Sequence, residues 1–556
     1  MRLTRRVPLA SVALILALSL VAAACGGDEG EGEAAQTEDG GAPAQGGSFT
    51  MSGCEPEYLI PGQSNETCGG QVLQVLFTPL VLFDAETSEP TFDGAVGESI
   101  ESDDQKVWTI KIKDGWTFHD GTPVTAQSFV DAWNWTAFGP NVAGNSYFFE
   151  NVEGYDEVQC ELNAAATKCI SDPKTDEMTG LEVIDDLTFE VTLKDKFSQY
   201  PITPGYNAFH PLPKSFFDDP EAFNEKPIGN GPYMMDGEWK HNQAINLVKY
   251  EDYTGTPGNA DAIEYRIYGA EGLDTAYRDL QAGNVDVLDS VPPEQIEAAK
   301  QEFGDRYLEA PSSSFTYLGF PLYDDRFEDP ALRHAFSMAI DRQAIIDAIF
   351  FGTLTEAKSV VSPVVKGSRE DPCGDSCVYD PDAAKQMLED AGGWQGELTL
   401  WFNNDGGHEE WMEAVSNQLR QNLGIQDIKF ESFEFAEYLG KLDAEEATGP
   451  FRLGWVMDYP SPQNYLEPIY GTTGSSNNFA YSNNEVDNLI DQGNAAGSVD
   501  EGIGFYNQAE DIVLEDMPVI PLWFGLNQTA HSERISNVLQ DAFSFTRLAE
   551  IEVVEQ

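Results

Sequence analysis

Residues Phe451–Pro468 read FRLGWVMDYPSPQNYLEP and bring together an arginine, a tryptophan, an aspartate and a tyrosine. The first half, Phe451–Tyr459, is apolar enough for a buried strand that ends in a Tyr-Pro turn. Charged side chains seldom sit in such strands unless they are paired or bound to something. An acid at Asp458, beside Trp455 and Tyr459, can receive a cationic group of a ligand. Arg452 and Asp458 can equally belong to an ion pair inside the fold, and from these residues alone that is the favoured account.

Other chemistries are poorly represented. There is no G-x-S-x-G elbow, and His408-Glu409-Glu410-Trp411-Met412 lacks the second histidine of a zinc protease motif. Gly440-Lys441 continues with Leu442 and has no upstream glycine, so it is not a phosphate-binding loop. The six histidines are scattered without ligand spacing. Acids are too numerous for a catalytic pair to stand out. No enzyme, cofactor or metal site is expected, with an exported hydrolase as the rival class.

The elements that must position Asp458 are those of a large chain. At 556 residues there is room for two or three domains, and 32 Phe, 21 Tyr and 10 Trp supply a sizeable core. Ninety-five acids face 31 basic residues, a formal charge of −64. Nucleic acid and anionic membrane surfaces are therefore poor partners. Arg2, Arg5 and Arg6 precede an apolar run over Val12–Ala24, the pattern of a secretory signal over residues 1–24. It ends in small residues before Cys25, which resembles a bacterial lipobox and implies lipidation of Cys25. Asp28–Gly46 has no aromatic residue and reads as a flexible tether, residues 25–46 with the cysteine, of roughly 25 Å reach.

Six further cysteines fall into near neighbours. An exported chain with an even count favours disulfides, and among fifteen connectivities the simplest is Cys54–Cys68, Cys160–Cys169 and Cys373–Cys377. Zinc at the last pair is the alternative.

Along the chain, Gln71–Phe77 reads as an apolar helix and Lys106–Lys111 as a half-buried strand. Thr125 caps a helix carrying Phe129 and Trp133 on one face. Val285–Val291, Phe315–Phe320, Phe451–Tyr459 and Val519–Trp523 read as strands. Asp329-Pro330 and Asp380-Pro381 are helix starts, with Asp as cap and Pro at the first helical position. Residues 397–433 read as strand, helix, strand.

At Lys106–Trp133 a resemblance emerges. KVWTIKIKDGWTFHDGTPVTAQSFVDAW is similar to the signature of extracellular solute-binding proteins of family 5, the oligopeptide- and dipeptide-binding lipoproteins of ABC importers. GLEVIDDLTFEVTLK (180–194), PIGNGPYMM (227–235), DLQAGNVDVL (279–288), PALRHAFSMAIDRQAII (330–346) and the 451–468 stretch follow in the family's order. The resemblance runs from about Gly47 to the end, with residues 151–179 as a local insertion.

It implies an α/β, two-lobed, periplasmic-binding-protein-like (class II, Venus-flytrap) fold with an extra small domain on the first lobe. Residues 47–90, 210–311 and 526–556 would form lobe I, 91–209 the extra subdomain and 312–525 lobe II. The family's W-x-x-D-Y pattern matches Trp455-Val456-Met457-Asp458-Tyr459, and implies that Asp458 holds a peptide's α-amino group. Arg452 takes the place of an arginine that meets the carboxylate of short peptides. Gly454 matches a strand position that pairs with peptide backbone, Trp455 and Tyr459 flank it, and His408 resembles another carboxylate reader. Glu66 and Thr67 fall where the first lobe faces the peptide. His119 and Asp120 are read as structural. With the resemblance, ligand contact replaces the internal ion pair as the account of Asp458. A monomeric, exported protein is expected, lipid-anchored to the outer face of the cytoplasmic membrane. It would bind a peptide and pass it to permease subunits of an ABC transporter. The alternative ligand is a non-peptide solute such as a sugar or a nickel chelate.

Overall fold

The structure is a computed structural model and describes residues 43–554, except residues 45, 86, 164–167, 270–271, 405–406 and 434. The expected signal, Cys25 and most of the tether lie outside the described residues.

An eleven-stranded mixed sheet runs through the molecule. Its strands in chain order are β1 (Ser48–Gly53), β2 (Tyr233–Met235), β3 (Ala244–Lys249), β4 (Ala262–Ile267), β5 (Val287–Leu288), β6 (Tyr307–Gly319), β7 (Leu354–Glu356), β8 (Leu398–Asn403), β9 (Ile428–Phe433), β10 (Phe451–Trp455) and β11 (Val519–His531). The spatial order is β9-β8-β10-β6-β11-β5-β1-β4-β3-β2, with β7 on β11. Two thirteen-residue strands, β6 and β11, pair antiparallel from Tyr307↔Ala530 to Gly319↔Val519. Their register breaks between Pro311 and Phe315, where Ser312-Ser313-Ser314 faces Gly525.

Each side of the break has its own apolar interior. One core takes Phe49, Met51, Tyr233 and Ile263 together with Trp108, Trp133 and Phe189 of the small-domain region. Beyond the break, Phe315, Tyr317 and Phe451 pack on one face of the sheet and Leu318, Leu400 and Trp523 on the other. All six residues of β8 are buried, as a strand covered on both faces must be. It is parallel to β9 and joined to it through helix Glu409–Asn422.

A separate four-stranded antiparallel sheet, Gly97–Glu101, Val107–Ile112, Thr188–Thr192 and Leu181–Asp185 in that spatial order, makes the small domain. Its helix Ala126–Ala137 starts with a Thr125–Ser128 capping box. On that helix Trp133 packs among Phe129, Phe149, Phe189 and Phe209, and its indole N–H donates to the Phe209 carbonyl. His119 accepts from the Gly229 amide at 3.1 Å, so the HDG turn fastens the PIGNGPY turn. Helices begin at Pro330 and Pro381 with Asp329 and Asp380 as caps. The structure closes the disulfides Cys54–Cys68, Cys160–Cys169 and Cys373–Cys377. Among the described residues no helix is long and apolar enough to cross a membrane.

Candidate functional site

β10 is shorter than its apolar pattern predicts: it ends at Trp455, not Tyr459. Asn464 explains the early end. This buried residue sits in the first turn of helix Gln463–Tyr470, and its side-chain oxygen accepts from the Asp458 amide at 2.8 Å and the Trp455 indole at 3.3 Å. Its amide nitrogen donates to Asp458 Oδ2 at 3.0 Å. The backbone that would have continued the ladder is thereby bent into a turn, and Asp458 is held at the start of a loop.

β10 pairs along one edge with β6, Phe315↔Trp455 through Gly319↔Phe451. On its other edge it meets β8 only at Trp401↔Phe451. The Tyr438 hydroxyl fills the point where the two strands part, reaching the Trp401 carbonyl at 3.3 Å and the Arg452 carbonyl at 2.8 Å. Past Arg452 that edge has no strand partner among the described residues, and Gly454 is exposed there.

A cavity of about 350 Å³ lies beside the Asp458 turn. Asn65, Glu66, Thr67 and Tyr206 line it from earlier in the chain, and Val456, Met457 and Asp458 come from the loop after β10. Phe543, Phe545 and Arg547 of the C-terminal segment complete it. Burial pushes the Asp458 carboxyl up to about 6, against the pull of the Asn464 hydrogen bond. Among the described residues no cation is in ion-pair contact with it. Its charge acts on the hydroxyls of Tyr147 and Tyr206, which burial, first of all, raises well above the usual tyrosine range. Tyr147, Phe148 and Tyr206 stack with centroids 4.4 and 4.5 Å apart. His210 also lines the cavity, stacked on Phe77, and burial pushes its imidazole down to about 3, so it is neutral at pH 7. Asp541 is pushed up to about 6 by burial, with Arg547 3.6 Å away pulling the other way.

The residues singled out in the sequence separate into two groups. Asp458, Glu66 and Thr67 are at the cavity. Glu66 is already engaged there: it caps helix Thr67–Leu76 by accepting from the Gly69 amide at 2.9 Å, and it takes the Glu57 amide at 3.2 Å. Arg452 is not among the cavity-lining residues; its guanidinium donates to Asn403 Oδ1 at 3.2 Å. Trp455 is half-buried against Asn464. Tyr459 is buried and donates to Gln463 Oε1 at 2.6 Å. His408 stands at the start of its helix, accepting from the Trp411 indole at 3.1 Å, away from the cavity. Asn464, Tyr206, Phe543 and Phe545 escaped the sequence reading. For Asn464 a signal existed: a polar residue in the first turn of a helix opened by Pro462, close behind an acid that is half-buried.

The lobes touch beside the site. Ser461 Oγ donates to Gln199 Oε1 at 3.0 Å, and Ser198 bonds the Gly493 and Asn494 carbonyls at 2.8 and 2.6 Å. Lys366 bridges Glu89 of the first lobe, 3.3 Å away, and Asp500 of the second, 3.2 Å away.

The cavity thus combines Asp458, with no cation in ion-pair contact among the described residues, and the aromatic side chains of the C-terminal segment. Residues 91–477 match the family described as bacterial extracellular solute-binding proteins, family 5 Middle. The chain belongs to that family. Its members are described as solute-binding proteins. The oligopeptide-binding protein OppA of Bacillus subtilis is 26% identical over 558 residues, covering 95% of this chain and 96% of its own. Heme-binding protein A of Haemophilus influenzae is 25% identical over 510 residues, covering 89% of each. Among solved structures, the periplasmic murein tripeptide-binding protein MppA in its unliganded open form superposes with a TM-score of 0.78 at 22% identity, covering 93% of this chain and 99% of that one. The family's two-lobed fold is therefore this chain's fold, with the small four-stranded domain on the first lobe.

Proposed function

We propose that this protein is the substrate-binding lipoprotein of an ABC importer, capturing peptides between its lobes and delivering them to a permease, with Cys25 as its lipid anchor. The observation that carries peptide capture is Asp458. It is a carboxylate in the wall of the inter-lobe cavity, fixed by Asn464 and with no cation in ion-pair contact among the described residues. A free peptide brings an ammonium that loses water when the lobes close, and a carboxylate must replace that water. The open edge of β10 at Gly454 suits strand-like pairing with peptide backbone, which satisfies N–H and C=O groups without reading side chains. The likeness to OppA supports the same ligand class.

Calorimetry on wild type and Asp458→Asn, each with a free and an N-acetylated peptide, tests this. Wild type is expected to lose about 2–5 kcal/mol on acetylation, the usual range for truncating one partner of a buried charge pair. The variant is expected to lose far less. Equal affinity of wild type for free and acetylated peptide would remove the ammonium anchor. The second reading, a non-peptide solute, would then stand, and the likeness to a heme-binding protein favours it.

A further inference from the structure

The cavity wall carries two unlike kinds of group. Asp458 is one. The other is aromatic: Phe83, Phe543 and Phe545 all line it, with Val81 beside them. Half-buried rings in a cavity wall leave apolar surface in contact with water, which an apolar group of a ligand would cover. These rings are built into place. The segment Asp541-Ala542-Phe543-Ser544-Phe545 turns back on itself, with Ser544 in the left-handed region at φ 68°. Both rings line the one cavity, and the turn is closed by the Ser544 amide donating to the Asp541 carbonyl at 3.0 Å. Asp541 Oδ1 accepts from the amides of Phe543 and Phe545, each at 3.0 Å. Ser544 Oγ donates to Asn527 Oδ1 at 2.9 Å. Two glycines give the rings room from behind. A Cβ on Gly70 would come within 2.6 Å of the Phe545 ring, and one on Gly205 within 2.4 Å of the Phe83 ring. Phe83 and Phe543 stand with centroids 5.4 Å apart.

We propose that Phe83, Phe543 and Phe545 form a side-chain subsite that selects peptides carrying a bulky apolar residue. This rests on the peptide reading of the same cavity. Asp541 is its positioning residue, since its carboxylate holds the amides of the two phenylalanines. The ligand class follows from the two kinds of group together: a short peptide with a free amino terminus and one large aliphatic or aromatic side chain. The backbone edge at Gly454 carries no preference of its own, so the discrimination comes from the subsite.

The test is calorimetry with alanine tri- and pentapeptides in which a single Phe is moved through every position, against the all-alanine parents. On wild type, at least one Phe peptide is expected to bind about 10- to 100-fold tighter than its parent, the range an apolar pocket gives. In Phe543→Ala and, separately, Phe83→Ala, that preference is expected to shrink to a few-fold, while the all-alanine parent keeps its wild-type affinity to within a few-fold. Thermal unfolding of each variant checks that it is folded. Equal binding of all peptides by wild type would overturn the subsite and leave peptide capture intact. A preference that persists undiminished in both folded variants would also overturn it. If no peptide of either length bound at all, the peptide reading would fall and the subsite with it.

Discussion

Asp286 and Asp458 are two acids handled in opposite ways. Asp286 belongs to the first lobe, and its side chain is 2% exposed. Arg534 donates to both of its oxygens at 2.9 and 3.0 Å, Ser532 Oγ adds a bond at 2.7 Å and the Thr50 amide another at 3.0 Å. Asp458 lies in the cavity wall, and among the described residues its carboxylate receives the Asn464 amide and no cation. Asp286 is thus a structural charge neutralised within its own lobe. Asp458 is oriented but not neutralised, and its raised carboxyl is the mark of that. The ion pair that the isolated sequence stretch suggests for Asp458 is found at Asp286 instead. The missing cation alone does not mark a ligand site: Asp289 is also raised to about 6 by burial, with no cation in ion-pair contact among the described residues, but only Asp458 of the two lines the cavity.

Removing a cation should break the comparison most forcefully. Arg534→Met leaves the Asp286 carboxylate buried with no partner charge, and unfolding stability should fall by about 3–5 kcal/mol. Denaturant titration measures it. A loss below about 1 kcal/mol would place the pair with weak surface bridges and erase the contrast. Ligand affinity of the folded variant should not change.

Asp458→Asn should do the reverse. Peptide affinity should fall by about 2–5 kcal/mol, while stability at pH 7 stays level or rises, because an unpaired carboxylate leaves the cavity wall and an amide oxygen still accepts from Asn464. A stability loss as large as that of Arg534→Met would make Asp458 structural.

Acidity sharpens the same point. Asp458 binds its proton more tightly folded than unfolded, with a pKa of about 6 against 3.8. Between those values the folded state holds the extra proton, so its contribution to stability is present below about pH 4 and is lost as pH rises through 6. Ligand binding runs the other way: an ammonium needs the ionised acid, so affinity should fall below pH 6 by up to tenfold per unit, about 1.4 kcal/mol. Asp541 titrates in the same range beside Arg547, so the slope of wild type must be compared with that of Asp458→Asn. Equal slopes would assign the effect to Asp541.

The parts of the fold encoded locally were legible. Asp329-Pro330 and Asp380-Pro381 start helices because cap and proline act over a single turn, and the Thr125 helix follows from its neighbours alone. The long strands were only half visible. Phe315–Phe320 and Val519–Trp523 are the apolar ends of β6 and β11; Ser312–Ser314, Gly525, Asn527 and Gln528 interrupt the pattern near the break in their register. Val285–Val291 shrinks to Val287–Leu288, which pairs with β11 at two positions and with β1 at one. At the site, Asp458 was legible through the W-x-x-D-Y match. Phe543 and Phe545 were not, because they reach the cavity from the far end of the chain through a left-handed turn that Ser544 does not announce.

The smallest expected effect concerns what holds each acid in place. Asp286 is braced from within its lobe, whereas the turn bearing Asp458 is braced across the cleft by Ser461 and Gln199. Ser461→Ala removes that bond. One hydrogen bond contributes about 0.5–1.5 kcal/mol, so the balance between open and closed lobes should move toward open by roughly 2- to 12-fold. Apparent affinity falls with the closed fraction, hence by no more than that factor. Scattering should show a larger radius of gyration for the ligand-free variant than for wild type, and equal radii when both are saturated. Stability should be unchanged, since the bond joins two lobes with separate cores. If affinity fell while the ligand-free radius stayed that of wild type, Ser461 would be acting on the Asp458 turn locally, through the Gln463 amide it accepts at 3.2 Å, and the cleft contact would carry no weight in closure.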